Sequence, residues 1–151
     1  MSVHLEIKGG CHCRSLRYVL QWPITSLTDG ELPSVPARRC SCSFCKRLDG
    51  VWTSHPQASL HIAESPEQSP SRYRFGTETA DFLFCSRCGI TPLVTCELEG
   101  QDYGVVNVHT FDDDCIDQIA LDLSDSCFDD ESTDARLERR KLRWIGNMTW
   151  A

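Results

Sequence analysis

The sequence lacks any hydrophobic run long enough to cross a membrane. A transmembrane helix needs about 18 consecutive apolar residues, and no stretch of the 151 residues comes near that length. The first ten residues, MSVHLEIKGG, have neither the basic start nor the apolar core of a secretory signal peptide. We therefore expect a cytoplasmic protein with no membrane partner, in a compartment where thiols stay reduced.

Positive charge is also scarce. The chain has 15 Lys and Arg against 22 Asp and Glu, for a formal net charge of −7. Nucleic-acid binding depends largely on Lys and Arg at phosphates, so this balance argues against a nucleic-acid partner. The length and a hydrophobic content of 40% are typical of one globular domain, which we expect to span residues 1–151. The oligomeric state is not predicted.

What the sequence does contain is cysteine. Seven of the ten cysteines form three tight clusters: Cys11-His12-Cys13, Cys40-Ser41-Cys42-Ser43-Phe44-Cys45 and Cys85-Ser86-Arg87-Cys88-Gly89. Thiolates are soft ligands for tetrahedral Zn²⁺. Because the clusters supply two, three and two thiols, the count predicts one closed four-sulfur site and one three-sulfur site with an open fourth position. We therefore expect two Zn²⁺ per chain; a disulfide framework is the alternative and requires an oxidising compartment.

The two short clusters are suited to a shared ion. The glycine after Cys88 permits a positive φ, so the chain can turn while backbone N–H groups point at sulfur. Cys11 and Cys13 are two residues apart and can point to the same side of the chain. Two thiols do not complete a tetrahedron, which makes Cys85 and Cys88 their natural partners. The alternative for Cys85 and Cys88 is a redox pair, although such a motif usually opens a helix.

The three-thiol cluster has no obvious fourth ligand nearby. Lys46 and Arg47 follow it directly and would lower thiol pKa values and attract an anionic substrate. An alternative closes the site with His55, His109 or another cysteine, which would make it structural. A second group of basic residues, at 136–143, is either a solvated helix face or a site for an anion.

The local patterns predict a mainly β chain. Residues 3–8 and 16–22 alternate apolar and polar side chains, the period of a half-buried strand. Further runs near 50–62 (interrupted near Pro56), 72–75, 80–84, 90–98, 103–108 and 116–123 give about eight strands in all. Residues 23–37 carry three prolines and are predicted to be a loop. One short helix is expected near the C-terminus, at about 131–143, because acidic residues open it and basic residues close it.

The cysteine clusters, with the Leu16-Arg17-Tyr18 and Phe84 that accompany them, resemble those of the glutathione-dependent formaldehyde-activating enzyme family, which includes centromere protein V. The resemblance covers about residues 3–113. It implies a zinc-binding β-tent fold similar to that of methionine-R-sulfoxide reductases. It also implies a structural zinc at Cys11, Cys13, Cys85 and Cys88, and a catalytic zinc at Cys40, Cys42 and Cys45.

These observations predict a zinc-dependent carbon–sulfur lyase that acts on adducts of a small thiol, such as glutathione, with a small carbonyl compound. Cys42 is the expected catalytic residue, because its neighbours on either side can stay bound to the metal. Two alternatives remain open at this point. One is a non-catalytic zinc module that binds a protein, and the other is a redox protein that uses the three clustered thiols.

Overall fold

The structure is a computed structural model that describes residues 3–24, 30–65, 69–128 and 130–150. Within those ranges the chain forms eleven strands, three α-helices and one 3₁₀ helix. The strands are β1 (Val3–Gly10), β2 (Leu16–Ile24), β3 (Ser34–Cys40), β4 (Val51–Thr53), β5 (Ser59–Glu64), β6 (Ser71–Tyr73), β7 (Asp81–Phe84), β8 (Leu93–Leu98), β9 (Gln101–Asn107), β10 (Ala120–Ser126) and β11 (Asn147–Trp150). The helices are α1 (Ser43–Leu48), α2 (Asp113–Ile116) and α3 (Thr133–Arg143), and the 3₁₀ helix is Val108–Thr110.

The strands form two sheets. The smaller sheet has the order β1-β2-β5-β11, and the larger one has the order β10-β3-β4-β9-β8-β7-β6. Most neighbours pair antiparallel; β10 pairs with β3 and β11 pairs with β5 in parallel. The hairpin β1-β2 forms one side of the smaller sheet, and the consecutive antiparallel strands β6 to β9 form one side of the larger sheet. Later parts of the chain, β11 and β10, add the edge strand on the other side of each sheet.

The main core is formed by one face of each sheet. Along β2 every second side chain is buried, from Leu16 and Tyr18 to Leu20 and Trp22. They belong to one cluster with residues of the larger sheet such as Val106. The period of two is what a strand with one buried face requires.

The larger sheet is buried on its second face as well. Val94 and Val105 belong to a separate cluster that includes Trp144, with Leu137 of α3 packed against it. Helix α3 contacts β8, so the end of the chain covers this face. Both faces of the central strands are therefore shielded from solvent, and β8 is buried at four consecutive positions, from Leu93 to Cys96.

The predicted fold class is confirmed as mainly β with one short helix near the C-terminus. Helix α3 begins after Ser132, whose side chain accepts a hydrogen bond from the N–H of Ala135 at 3.1 Å. The likeness to methionine-R-sulfoxide reductases and the single-domain organisation stay predictions. In the part of the chain that the structure describes, no helix is long and apolar enough to span a membrane.

Three local predictions were wrong. The proline-rich stretch 23–37 was expected to be a loop, but β3 begins at Ser34 and pairs with β4 and β10; residues 25–29 lie outside the described ranges. The expected eight strands become eleven in the described residues, because β3 and β11 were missed and the run 50–62 is two strands, β4 and β5. The predicted strand at 116–123 begins only at Ala120, after the short helix α2.

Candidate metal centres

The first candidate site is the four-cysteine cluster. Cys11 and Cys13 lie in the turn between β1 and β2, and Cys85 and Cys88 in the turn between β7 and β8. Their four sulfur atoms all lie within 4.8 Å of one another. The Sγ atoms of Cys13 and Cys85, 72 residues apart, are separated by 3.4 Å. This cluster joins a hairpin of the smaller sheet to a hairpin of the larger one.

Backbone N–H groups surround these sulfurs. The N–H groups of Arg87 and Cys88 donate to Sγ of Cys85, each at 3.4 Å, and that of Leu16 donates to Sγ of Cys11 at 3.3 Å. Gly89 has φ +80, the conformation that the sequence predicted for the residue after Cys88. A zinc-binding turn uses this arrangement, because the N–H dipoles offset part of the thiolate charge.

Ser15 is a member of this site that the sequence did not reveal. Its Oγ lies 3.1 Å from the sulfurs of both Cys13 and Cys85. This contact lowers the pKa of the Cys13 thiol. Burial raises the pKa of Cys85, but the hydrogen bonds from Ser15 and the backbone outweigh it and lower that pKa to about 6. Both thiols are therefore biased toward the thiolate, the form that binds metal.

The second candidate site is formed by Cys40, Cys42 and Cys45, whose sulfurs also lie within 4.8 Å of one another. Cys40 ends β3, Cys42 is the N-cap of α1, and Cys45 lies in the first turn of that helix. The Sγ of Cys42 accepts a hydrogen bond from the N–H of Cys45 at 3.3 Å. Among the described residues, no histidine or carboxylate belongs to this group, so neither His55 nor His109 closes it.

The thiols of Cys42 and Cys45 resist ionisation when no ion is bound. Hydrogen bonding to Cys40, together with burial, raises the pKa of Cys45. Burial raises the pKa of Cys42. Three thiols this close cannot all become thiolates unless a cation neutralises them. Cysteine sulfur is a good ligand for soft metal cations, so this set of three sulfur donors fits a metal ion.

A cavity of about 310 Å³ opens onto the three-cysteine cluster. All three of its cysteines line the cavity, and none of the four cysteines of the first cluster does. One side of the wall is aromatic, with Trp52, Phe75 and Phe82. The centroids of the Phe75 and Phe82 rings are 5.3 Å apart, and Phe44, next to Cys45 in sequence, lies 4.6 Å from Phe82. The cavity can thus hold a small apolar molecule beside the sulfurs.

The lining of the cavity is also basic. Its arginines are Arg38 of β3 and Arg136, Arg139 and Arg140 of α3. The sequence left open whether the basic group at 136–143 is a solvated helix face or a site for an anion. Arg136, Arg139 and Arg140 of this group line the cavity. Lys46 and Arg47 are exposed and are not among the lining residues. The guanidinium of Arg47 donates to the carbonyl of Ser43 at 2.7 Å.

The remaining cysteines join neither cluster. Cys96 is buried, Cys115 is half-buried and Cys127 is exposed. None of the ten cysteines, all of which lie in the described ranges, forms a disulfide. A mainly β chain with two groups of clustered cysteines, each able to hold a metal ion, defines a candidate metalloprotein.

Comparison with known proteins narrows this class. The sequence model of the glutathione-dependent formaldehyde-activating enzyme family matches residues 6–123. The chain belongs to the glutathione-dependent formaldehyde-activating enzyme family. The name of this family associates it with an enzyme activity and with glutathione. A crystal structure of a Rhodobacter sphaeroides protein is also similar, with 27% identity over 76% of this chain and 99% of that one and a TM-score of 0.48.

Proposed function

We propose that this protein is a zinc-dependent carbon–sulfur lyase that makes and breaks adducts between a thiol, such as glutathione, and a small carbonyl compound. One observation carries the proposal. All three cysteines of the three-cysteine cluster line one cavity, whereas the four-cysteine cluster contributes only Cys11 to a separate pocket. A closed site is structural, and a site that a ligand can reach supports chemistry.

The donor sets favour zinc at both positions. Four thiols, from Cys11, Cys13, Cys85 and Cys88, match the closed tetrahedral set of structural zinc. Cys40, Cys42 and Cys45 would hold the second ion with three thiols and leave one position for a ligand. When bound there, zinc supplies Lewis acidity that lowers the pKa of a coordinated thiol. The chemistry needs reduced cysteines, so we place the protein in the cytoplasm.

The residues of the cavity have separate roles in this proposal. Trp52 and Phe82 exclude water from the space where thiol and carbonyl meet. The guanidinium groups that line the cavity balance the negative charge that three thiolates and an incoming thiolate bring together. In the forward direction the thiol sulfur bonds to the carbonyl carbon, the π electrons move to oxygen, and the thiol proton ends on that oxygen. The reverse reaction breaks the same carbon–sulfur bond.

Cys42 remains the proposed catalytic cysteine. It lies between Cys40 and Cys45 in the sequence, and its side chain is only partly buried, whereas that of Cys45 is fully buried. We also propose that the positive charges of Lys46 and Arg47 attract the anionic thiol. Their exposed positions suit a long-range effect on binding rather than direct contact in the cavity.

The test measures exchange between glutathione, formaldehyde and their S-hydroxymethyl adduct by nuclear magnetic resonance. Zinc-replete protein should accelerate the exchange above the uncatalysed rate. Cys42→Ser should remove the acceleration, and Cys127→Ser, which changes an exposed cysteine outside both clusters, should keep it. Absence of acceleration with formaldehyde, acetaldehyde and an α-keto acid alike would contradict the proposal. Equal loss in the two variants would also contradict it.

A further inference from the structure

Helix α3 and Trp144 bring to the cavity a wall that lies outside the family match. The match ends at residue 123, whereas α3 spans Thr133–Arg143. Arg136, Arg139, Arg140 and Trp144 all line the cavity. The family model therefore assigns no role to this wall.

Four buried side-chain atoms have no hydrogen-bond partner among the described residues: Oγ of Ser126, Nε of Arg136, Nε of Arg140 and Nε1 of Trp144. All four residues line this one cavity. Arg140 is 6% exposed and Trp144 is 5% exposed. Buried polar atoms without partners are rare in folded proteins, and their concentration here points to an absent acceptor.

The charges of this wall are unevenly balanced. Glu131 pairs with Arg139 at 3.0 Å and lies 3.8 Å from Nε of Arg136. Arg140 has no carboxylate partner in the described ranges; its Nη1 contacts the hydroxyl of Thr79 at 2.8 Å and the sulfur of Cys96 at 3.5 Å. A guanidinium buried without a counterion is strongly unfavourable unless an anion is bound.

The contact between Arg140 and Trp144 indicates which kind of acceptor would suit their unpaired N–H groups. The guanidinium carbon of Arg140 lies 4.9 Å from the centroid of the Trp144 ring, so the two side chains are in contact, and each has a buried N–H without a partner in the part of the chain that the structure describes. Neighbouring N–H donors, one of them on a guanidinium, suit the oxygens of a carboxylate. Apolar side chains from β4, β7, β8 and β9 also line the cavity.

We propose that this wall is a carboxylate-binding subsite, in which Arg140 and Trp144 hold the carboxylate of a ligand whose apolar, aromatic-sized body lies against Trp52 and Phe82. The proposal rests on the proposed function, because it specifies which substrates that site accepts. The carboxylate belongs either to the thiol or to the carbonyl compound. In both cases the C-terminal helix determines substrate choice.

The test uses 4-phenylbutyrate, which has no thiol and therefore does not depend on the chemistry proposed for the three-cysteine site. Calorimetry on the full chain, purified without chelator, should detect saturable binding. Its neutral analogue 4-phenylbutanamide should bind about tenfold or more weakly, because a charge-assisted pair is lost. Arg140→Gln should remove this preference for the carboxylate. The matched control, Arg143→Gln, removes the same charge from an exposed position of the same helix and should keep the preference.

Trp144→Phe is the second variant, because it keeps an aromatic ring in place and removes only the N–H donor. If Arg140→Gln does not fold, this variant tests the subsite instead. It should weaken binding of 4-phenylbutyrate more than binding of 4-phenylbutanamide. Competition with glutathione then shows which substrate carries the carboxylate. If glutathione displaces 4-phenylbutyrate, the carboxylate that this subsite binds belongs to the thiol. If both bind at the same time, it belongs to the carbonyl compound. No saturable binding of 4-phenylbutyrate would overturn the proposal. Equal affinity for acid and amide, or equal effects of Arg140→Gln and Arg143→Gln, would overturn it as well.

Discussion

The two cysteine clusters are expected to respond differently to the same chemical change. Cys88→Ser removes one thiol from the cluster that joins the two sheets. Metal binding at a closed four-thiol site contributes about 10–16 kcal/mol, whereas the whole folded state is stable by only about 5–15 kcal/mol. Loss of one ligand should therefore unfold the protein at ordinary temperature or lower its melting temperature sharply.

Cys42→Ser should leave the fold largely intact. Cys42 is the N-cap of α1, and its sulfur accepts the N–H of Cys45. Serine is a favoured N-cap, so its hydroxyl can accept the same hydrogen bond. We expect a melting temperature within about 3 °C of the wild type, which corresponds to about 1 kcal/mol for a chain of this size. The site should bind less zinc, and activity should be lost.

The assay is thermal unfolding followed by circular dichroism, together with zinc analysis of each variant. Cys127→Ser serves as the control for handling and oxidation, since Cys127 is exposed and belongs to neither cluster. Equal destabilisation by Cys42→Ser and Cys88→Ser would refute the division into an open and a structural site. An unaffected melting temperature in Cys88→Ser would refute the structural role of the first cluster.

Three further predictions concern charge and metal content. Arg17 donates to both carboxylate oxygens of Asp112, at 3.1 and 2.6 Å, and this ion pair lowers the pKa of Asp112. Arg17→Gln should therefore reduce stability by about 1 kcal/mol at pH 7. The difference should begin to shrink near pH 4, about the pKa of Asp in an unfolded chain, and disappear only as the pH falls through the lowered pKa of the folded state. A constant difference across that range would argue against the ion pair. Replacing Lys46 and Arg47 with Ala should weaken glutathione binding without loss of zinc, and identical calorimetric affinities would remove both residues from the account. Protein purified without chelator should contain about two zinc ions per chain; a value near zero, with disulfides found by mass spectrometry, would contradict this.

The sequence predicted the local geometry of the cysteine turns well. The spacing of Cys85 and Cys88, with Gly89 after them, predicted a turn whose N–H groups point at sulfur, and the structure has this turn between β7 and β8. Local rules suffice here, because the ligands of each turn lie within a few residues of one another. Ser15 was missed, since no pattern indicates that a hydroxyl will approach a sulfur 70 residues away.

The wall of the cavity could not be predicted in the same way. Helix α3 was expected from its charges, but whether its arginines face solvent or a cavity depends on how it packs against β8, far away in the sequence. The short helix α1 was missed because its N-cap is a cysteine, which the usual rules for helix starts do not include. Strand β3 was missed because Pro33 and Pro36 indicate a loop, although β3 is held by partners on both sides.

Zinc X-ray absorption spectroscopy tests the central claim most directly, because it counts the sulfur atoms bound to each ion. If one ion has four thiolates and the other has three, the metal-replete protein should give an average of about 3.5 sulfur atoms per zinc, with a shorter oxygen contact at about 2.0 Å. Addition of glutathione should raise the average to about 4 and remove that oxygen contact. An average of 4 before glutathione is added, or no change after it, would contradict an open three-thiolate site.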